Sequence, residues 1–176
     1  GAKAWLEGFG HRSGRGVPVS VAEALAVESG WERAVETVLG DYLEAVCVSD
    51  LDELGEELGR LEINRLDFIE SGPASTVAGG AGTLAARVRG PAAAVAMLAA
   101  VRTCDTLAQA LGQRRRLAPG ESLVTRTGEW VGREWLRLRR GGDPHAGVLE
   151  RAQRLKILGQ DRATAESALQ TGEAAL

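Results

Sequence analysis

Few residues in this chain have the type and spacing to do covalent chemistry. Cys47 and Cys104 lie in separate short apolar runs with no C-x-x-C spacing, which reads as buried free thiols rather than a disulfide or a metal site. The two histidines, His11 and His145, form no H-E-x-x-H, and no carboxylate cluster stands near them at ligand spacing. No metal-ligating residues are therefore assigned. The glycine-rich stretch "GPASTVAGGAGTLAARVRG" (72–90) lacks G-x-x-x-x-G-K-[ST], so no lysine is placed to reach a phosphate and no nucleotide cradle is read there. No catalytic residue is assigned.

Binding chemistry is better represented. "TRTGEWVGREWLRLRRGG" (125–142) holds four glycines, two of the chain's four tryptophans and five arginines. Between Arg114 and Arg140 eight arginines (114, 115, 116, 126, 133, 137, 139, 140) face three acids (Glu121, Glu129, Glu134). The whole chain nevertheless carries a formal charge of -3, so any polyanion contact must be local. Two readings stand for the alternation in "LRLRR". One is a half-buried strand with solvated charges. The other is a phosphate-contacting patch formed by Arg137, Arg139 and Arg140 with Arg151, Arg154 and Lys156 downstream. Trp130 and Trp135 likewise fit either ordinary core packing or interface anchors, whereas Trp31 reads as core. Gly128 supplies the positive φ of a tight turn. Gly132, Gly141 and Gly142 lack a Cβ and would let a second backbone approach.

The elements that must position these residues follow from periodicity. The chain has 176 residues, 44% of them hydrophobic and 26% charged, a globular composition. No apolar run approaches the roughly 20 residues of a membrane span. It does not open with Met and is read as a piece of a longer protein. A short strand or turn and then a helical turn are expected in "VPVSVAEALAVES". A helix over "GWERAVETVLGDYL" buries Trp31, Val35, Val38 and Leu39, with Gly40 disturbing its last turn. "EAVCVSD" is a strand. Asp50 N-caps a helix with a stripe of Leu51, Leu54, Leu58 and Leu61, and "RLDFIES" is the next strand. After the glycine-rich segment the order recurs: a helix opened by Pro91, a strand "AVRTC", a helix capped by Asp105, then strand, turn and strand in "ESLVTRTGEWVG". "AVCVSDLDELGEELG" (45–59) and "AAVRTCDTLAQALG" (99–112) match in this order. From Val148 onward Val148, Leu155, Arg162, Leu169 and Leu176 recur every seven residues, with Leu158 and Ala165 at the complementary position, a narrow coiled-coil seam.

The expected fold class is α/β (α+β): two pseudo-duplicated small lobes with mixed sheets, flanked by antiparallel coiled-coil stubs. The boundaries are a stub at 1–5, lobe 1 at 6–71, a flexible Gly/Ala-rich connection at 72–90, lobe 2 at 91–144 and a coiled-coil arm at 145–176.

With "GWERAVETVLGDYLEAVCVSD" and the ending "LVTRTGEWVG" followed by Gly141–Gly142 and a coiled-coil helix, the chain resembles the hinge domain of structural maintenance of chromosomes (SMC) proteins, of the bacterial chromosome-partition type. The resemblance spans roughly residues 6–158, and "LVTRTGE" with the Gly-Gly step is its most specific part. It departs from the family in "REWLRLRR" and in the glycine- and alanine-rich 72–90. The resemblance implies a head-to-head homodimer, lobe 2 of one chain pairing edge to edge with lobe 1 of the other, through Gly128, Trp130, Gly132, Trp135, Gly141 and Gly142. It implies weak, sequence-independent DNA contact where the hinge meets the coiled coil. ATP, Mg and kleisin-type subunits would belong to head domains absent here, in a cytoplasmic, nucleoid-associated protein. The alternative is a small α/β ligand-binding regulatory domain.

Overall fold

A computed structural model describes residue 8 and residues 18–55, 66–72, 80–139 and 147–173. The coiled-coil stub at 1–5, the second half of the Asp50 helix, and Arg140, Gly141 and Gly142 lie outside the described residues.

The first half begins with α1 (Val21–Ala24). Ser20 and Glu23 close a capping box: Ser20 Oγ accepts from Glu23 N, and the Glu23 carboxylate accepts from Ser20 N at 2.7 Å. Two otherwise unsatisfied amides are thereby paired. After β1 (Ala26–Val27) comes α2 (Glu32–Leu39), which buries Val35 and Leu39 with Trp31 just before it, as the spacing requires. Gly40, at φ 53°, ends the helix in a conformation that favours glycine. A 3-10 turn (Gly40–Glu44) leads to β2 (Val46–Val48), buried throughout. Asp50 Oδ1 accepts from Asp52 N at 2.8 Å and opens a 3-10 turn (Asp52–Leu54). Leu54 is buried there, but Leu51 is exposed, because the short turn does not carry it round to the core side. Strand β3 (Phe68–Glu70) pairs parallel with β2, Cys47 opposite Ile69.

The second half repeats the plan. Strand β4 (Val88–Arg89) precedes α3 (Ala92–Met97), which starts at Pro91. Then come β5 (Val101–Cys104), α4 (Leu107–Gln113) and β6 (Ser122–Thr125), with β5 and β6 parallel. The cap of α4 is Thr106 and not Asp105: Thr106 Oγ1 accepts from Gln109 N at 3.1 Å, while the Asp105 amide donates to Gln109 Oε1 at 3.0 Å. Strands β7 (Trp130–Val131) and β8 (Leu136–Arg137) complete a sheet of order β5-β6-β7-β8. Helix α5 (Val148–Glu173) leaves the body, about 39 Å long at 1.5 Å per residue.

The connection at 72–90 differs from expectation over its described part. Residues 80–90 are folded: Leu84, Ala85 and Val88 are buried, and β4 pairs antiparallel with β1, Val27 opposite Val88. The apolar residues of this Gly/Ala-rich stretch find a place because both halves share one core. That core joins Val35 and Leu43 of the first half to Leu98 and Val124 of the second, and it includes Leu149 at the root of α5. Burying one such leucine is worth about 1.5–3 kcal/mol. Beyond that root the seam is uncovered among the described residues: Leu155 and Leu158 are 70% and 56% exposed.

Both thiols are free and buried. Burial first, then the nearby Asp105 and Glu129 charges, push Cys104 up to about 11; burial raises Cys47 as well. Folding thus favours the protonated thiols. For Cys104 that contribution is complete below the ordinary value of 9.0 and is lost as pH rises towards about 11. Two outcomes are expected: neither thiol reacts with a disulfide reagent at pH 8 before the chain unfolds, and Cys104→Ser loses less stability between pH 9 and 11 than the parent in urea titrations. Rapid labelling of the folded chain would contradict the burial.

Candidate interaction surface

The segment from the β6–β7 turn through β8 carries Gly128, Trp130, Gly132, Trp135, Arg137 and Arg139 of the residues singled out by sequence. The turn Thr125–Glu129 is held by its own side chains, the Glu129 carboxylate accepting from the hydroxyls of Thr125 and Thr127. Gly128, at φ 86°, closes it. The space beside Gly128 is filled by the chain itself: a Cβ there would stand 2.7 Å from Thr37 Oγ1 and 3.1 Å from Arg33 Cγ. The β6–β7 turn therefore seats on α2. Gly132 is similar, since a Cβ would meet the Trp135 ring at 2.1 Å. Gly128 takes the positive φ expected of it, and at Gly132 the space expected to admit a second backbone holds the Trp135 ring of the same chain.

The tryptophans divide. Trp31 is buried, with the guanidiniums of Arg126 and Arg87 at 4.9 and 5.7 Å from its ring centroid. Trp130 is half-buried against the shared core, and its Nε1 donates to Ser122 Oγ at 2.9 Å. Trp135 meets Trp130 edge to face at 5.0 Å and is 47% exposed.

Strand β8 is not half-buried as its alternation suggests; both Leu136 and Arg137 are exposed. It lies at the edge of the sheet, with no strand beyond it among the described residues. Gly132 N donates to the Trp135 carbonyl, and Trp130 pairs with Arg137. In an antiparallel ladder this register turns the backbone N–H and C=O of Leu136 away from β7. Leu136 shares its face with its neighbour Val131, which is fully buried. The apolar underside of the sheet thus continues past its edge into Leu136 and Leu138, 44% and 43% exposed.

The six cations assigned to phosphate contact do not form one described surface. Arg137 lies 5.0 Å over the Trp130 ring. Arg137 and Arg139 line a cleft of about 310 Å³ together with Tyr42 and the acids Asp41 and Asp67. Arg151, Arg154 and Lys156 are exposed on α5. Arg151 and Arg154 share a face three residues apart, but Lys156 lies about 200° round the helix from Arg154.

Sequence reasoning missed the polar row of α2. Glu36 and Thr37 are buried; Glu36 Oε1 accepts from Leu149 N at 3.2 Å, and Arg33 Nη2 donates to the Arg139 carbonyl at 2.9 Å. Arg33 and Glu36 face each other at 3.7 Å. The available signal was a charged pair at i, i+3 on a helix expected to be buried.

Residues 15–114 match the family model described as the SMC proteins flexible hinge domain. The chain is 38% identical over 158 residues to a chromosome partition protein Smc of Xanthomonas oryzae pv. oryzae, covering 89% of the chain and 13% of that protein. It is 35% identical over 162 residues to its namesake in Coxiella burnetii, covering 87% of the chain and 14% of that protein. The chain thus spans a small part of the length of these relatives. In fold it is similar to an SMC hinge domain of Geobacillus stearothermophilus, solved as an asymmetric dimer, with a TM-score of 0.56, 18% identity, and coverage of 90% of this chain and 73% of that one. It is also similar to the Pyrococcus furiosus SMC hinge domain, with a TM-score of 0.53, 19% identity, and coverage of 76% and 79%.

Gly128→Ala combines left-handed strain with a clash against α2 and should cost about 2–3 kcal/mol, read from urea midpoints. Gly132→Ala should move the exposed Trp135 ring instead. A near-ultraviolet dichroism change with a stability loss under about 1 kcal/mol is expected there. Equal losses at the two glycines would contradict this assignment.

Proposed function

Since the chain belongs to the SMC flexible hinge domain family, as the hinge of a bacterial chromosome partition protein, we propose that it is a homodimerisation module. The observation that carries this is the open edge of β8, where outward backbone groups and the uncovered Leu136 and Leu138 coincide. An unpaired apolar edge is a liability unless another chain covers it. The complementary edge is β3 in the first half, whose far side no strand occupies among the described residues. Pairing β8 of one chain with β3 of the other, twice about a two-fold axis, closes a ring and leaves no edge to propagate. Gly141 and Gly142 would extend the β8 contact. Trp130 and Trp135 would flank it on the opposite face of the strand. The dimeric neighbour from Geobacillus is consistent with this reading. ATP hydrolysis with Mg and kleisin-type partners are expected of regions outside the span of this chain.

Leu136→Pro removes only the outward donor of an edge residue, a substitution edge strands tolerate. It should keep the far-ultraviolet dichroism of the parent but halve the mass found by light scattering. A folded variant of unchanged dimeric mass would sink the β8 interface.

The same module is proposed to touch DNA, weakly and without sequence preference, since phosphate contacts carry no direct base information. Arg151 and Arg154 are the best placed, being exposed on one face at the root of α5. Arg140 would add to them. Two such contacts per protomer, four per dimer, would weaken binding about a hundredfold between 50 and 200 mM salt. Arg151→Glu with Arg154→Glu should abolish the low-salt gel shift while the mass stays dimeric. An unchanged shift would leave both arginines as a solvated helix face.

A further inference from the structure

The long helix α5 leaves the body through a narrow attachment. Leu149 is fully buried, Val148 and Ala152 pack partly against the shared core, and the residues from Arg154 to Ala168 are exposed. The helix start carries backbone N–H groups that have no partner within the helix. One of them, on Leu149, donates to Glu36 Oε1 of α2 at 3.2 Å. Glu36 is 2% exposed, and a carboxylate there is favoured by the positive end of the α5 dipole. One turn earlier on α2, Arg33 faces Glu36 Oε2 at 3.7 Å and reaches with Nη2 to the Arg139 carbonyl, 2.9 Å away. Arg139 is the last described residue after β8. A single i, i+3 pair therefore touches both the residue two positions past the edge strand and the first turn of the outgoing helix.

We propose that the Arg33–Glu36 pair couples strand β8 to helix α5, so that the position of β8 sets the direction in which α5 leaves the body. The coupling has a physical cause. Glu36 is too deeply buried to lose its compensating charge cheaply, so it follows Arg33. Arg33 holds the backbone carbonyl of Arg139, two residues past the end of β8. A displacement of β8 is thus passed through two hydrogen bonds and one ion pair to the Leu149 amide, where a small change of angle is amplified along the length of α5. The functional consequence, that covering the β8 edge fixes the angle of the arm, rests on the dimer reading above. The coupling within one chain does not.

The test is an intramolecular distance. Spin labels at Arg102→Cys on β5 and Gln160→Cys on α5, both exposed, report the angle of α5 against the sheet; dilution with unlabelled chain suppresses distances between protomers. The two native thiols are buried and escape labelling. The parent should give one narrow distance distribution. Arg33→Met keeps the aliphatic stem and removes the guanidinium; it should at least double the width of the distribution while dichroism and mass are unchanged. Glu36→Gln keeps an acceptor for Leu149 N and should broaden the distribution less than Glu36→Ala. Should Arg33→Met prove unfolded by dichroism, the ordering of the two Glu36 variants decides by itself. A distribution of parental width in Arg33→Met, or equal widths in Glu36→Gln and Glu36→Ala, would overturn the coupling. If light scattering found the parent monomeric, the dimer reading would fail while these comparisons still judged the pair. With a dimeric parent, Leu136→Pro should broaden the distribution as Arg33→Met does. A narrow distribution in that monomer would show that edge pairing does not reach α5.

Discussion

Helix α2 is only eight residues long (Glu32–Leu39), yet three separate pieces of the second half terminate on it. Val35 and Leu39 enter the shared core, while Arg33, Glu36 and Thr37 offer a polar row that meets the β6–β7 turn, the end of β8 and the start of α5. Polar groups buried this deeply are tolerated only when their hydrogen bonds are supplied. Thr37 Oγ1 donates to the Arg33 carbonyl at 2.9 Å, and Glu36 receives the Leu149 amide. The requirement acts in both directions. The start of α5 cannot shift without taking the Leu149 amide from the buried Glu36 carboxylate, so the helix fixes the arrangement of the molecule and not merely its density.

The glycines of the "TRTGEWVG" ribbon take their meaning from this arrangement. Gly128 lets the turn lie against Thr37, and Gly132 lets the Trp135 ring lie over the strand. The arginines likewise serve several ends. Arg126 and Arg87 cover Trp31, Arg137 covers Trp130, and Arg139 bonds through its backbone to Arg33. A run that looks uniformly basic is distributed over different faces. A cation stacked on an indole ring is already engaged in holding the fold.

Among the described residues the edge strand has exposed leucines and the long helix an uncovered seam. In a hinge these are the two ends of one mechanical element: the edge where two chains would meet and the arm that would carry their relation outwards. The row on α2 lies between them. Two of the buried polar residues described, Glu36 and Thr37, belong to that row; the others, Ser122 and Thr125, lie on β6.

Much of this was legible in residue order. The strand–helix–strand order of the second half, the buried stripe Trp31–Val35–Leu39, the turn at Gly128 and the long final helix follow from periodicity and from the φ that glycine allows, which are local properties. The family resemblance was legible as well, because it rests on a short motif. Three things were not. Residues 84–88 look like linker because small residues carry no periodic signal; they fold because the shared core reaches them. Strand β8 alternates like a half-buried strand but is exposed on both sides, since burial depends on what lies across the sheet edge and not on the strand. The Arg33–Glu36 pair reads as an ordinary helix surface pair. Only the tertiary fold, by bringing Arg139 and Leu149 to it from more than 100 residues away, makes it the junction on which the strand and the arm depend.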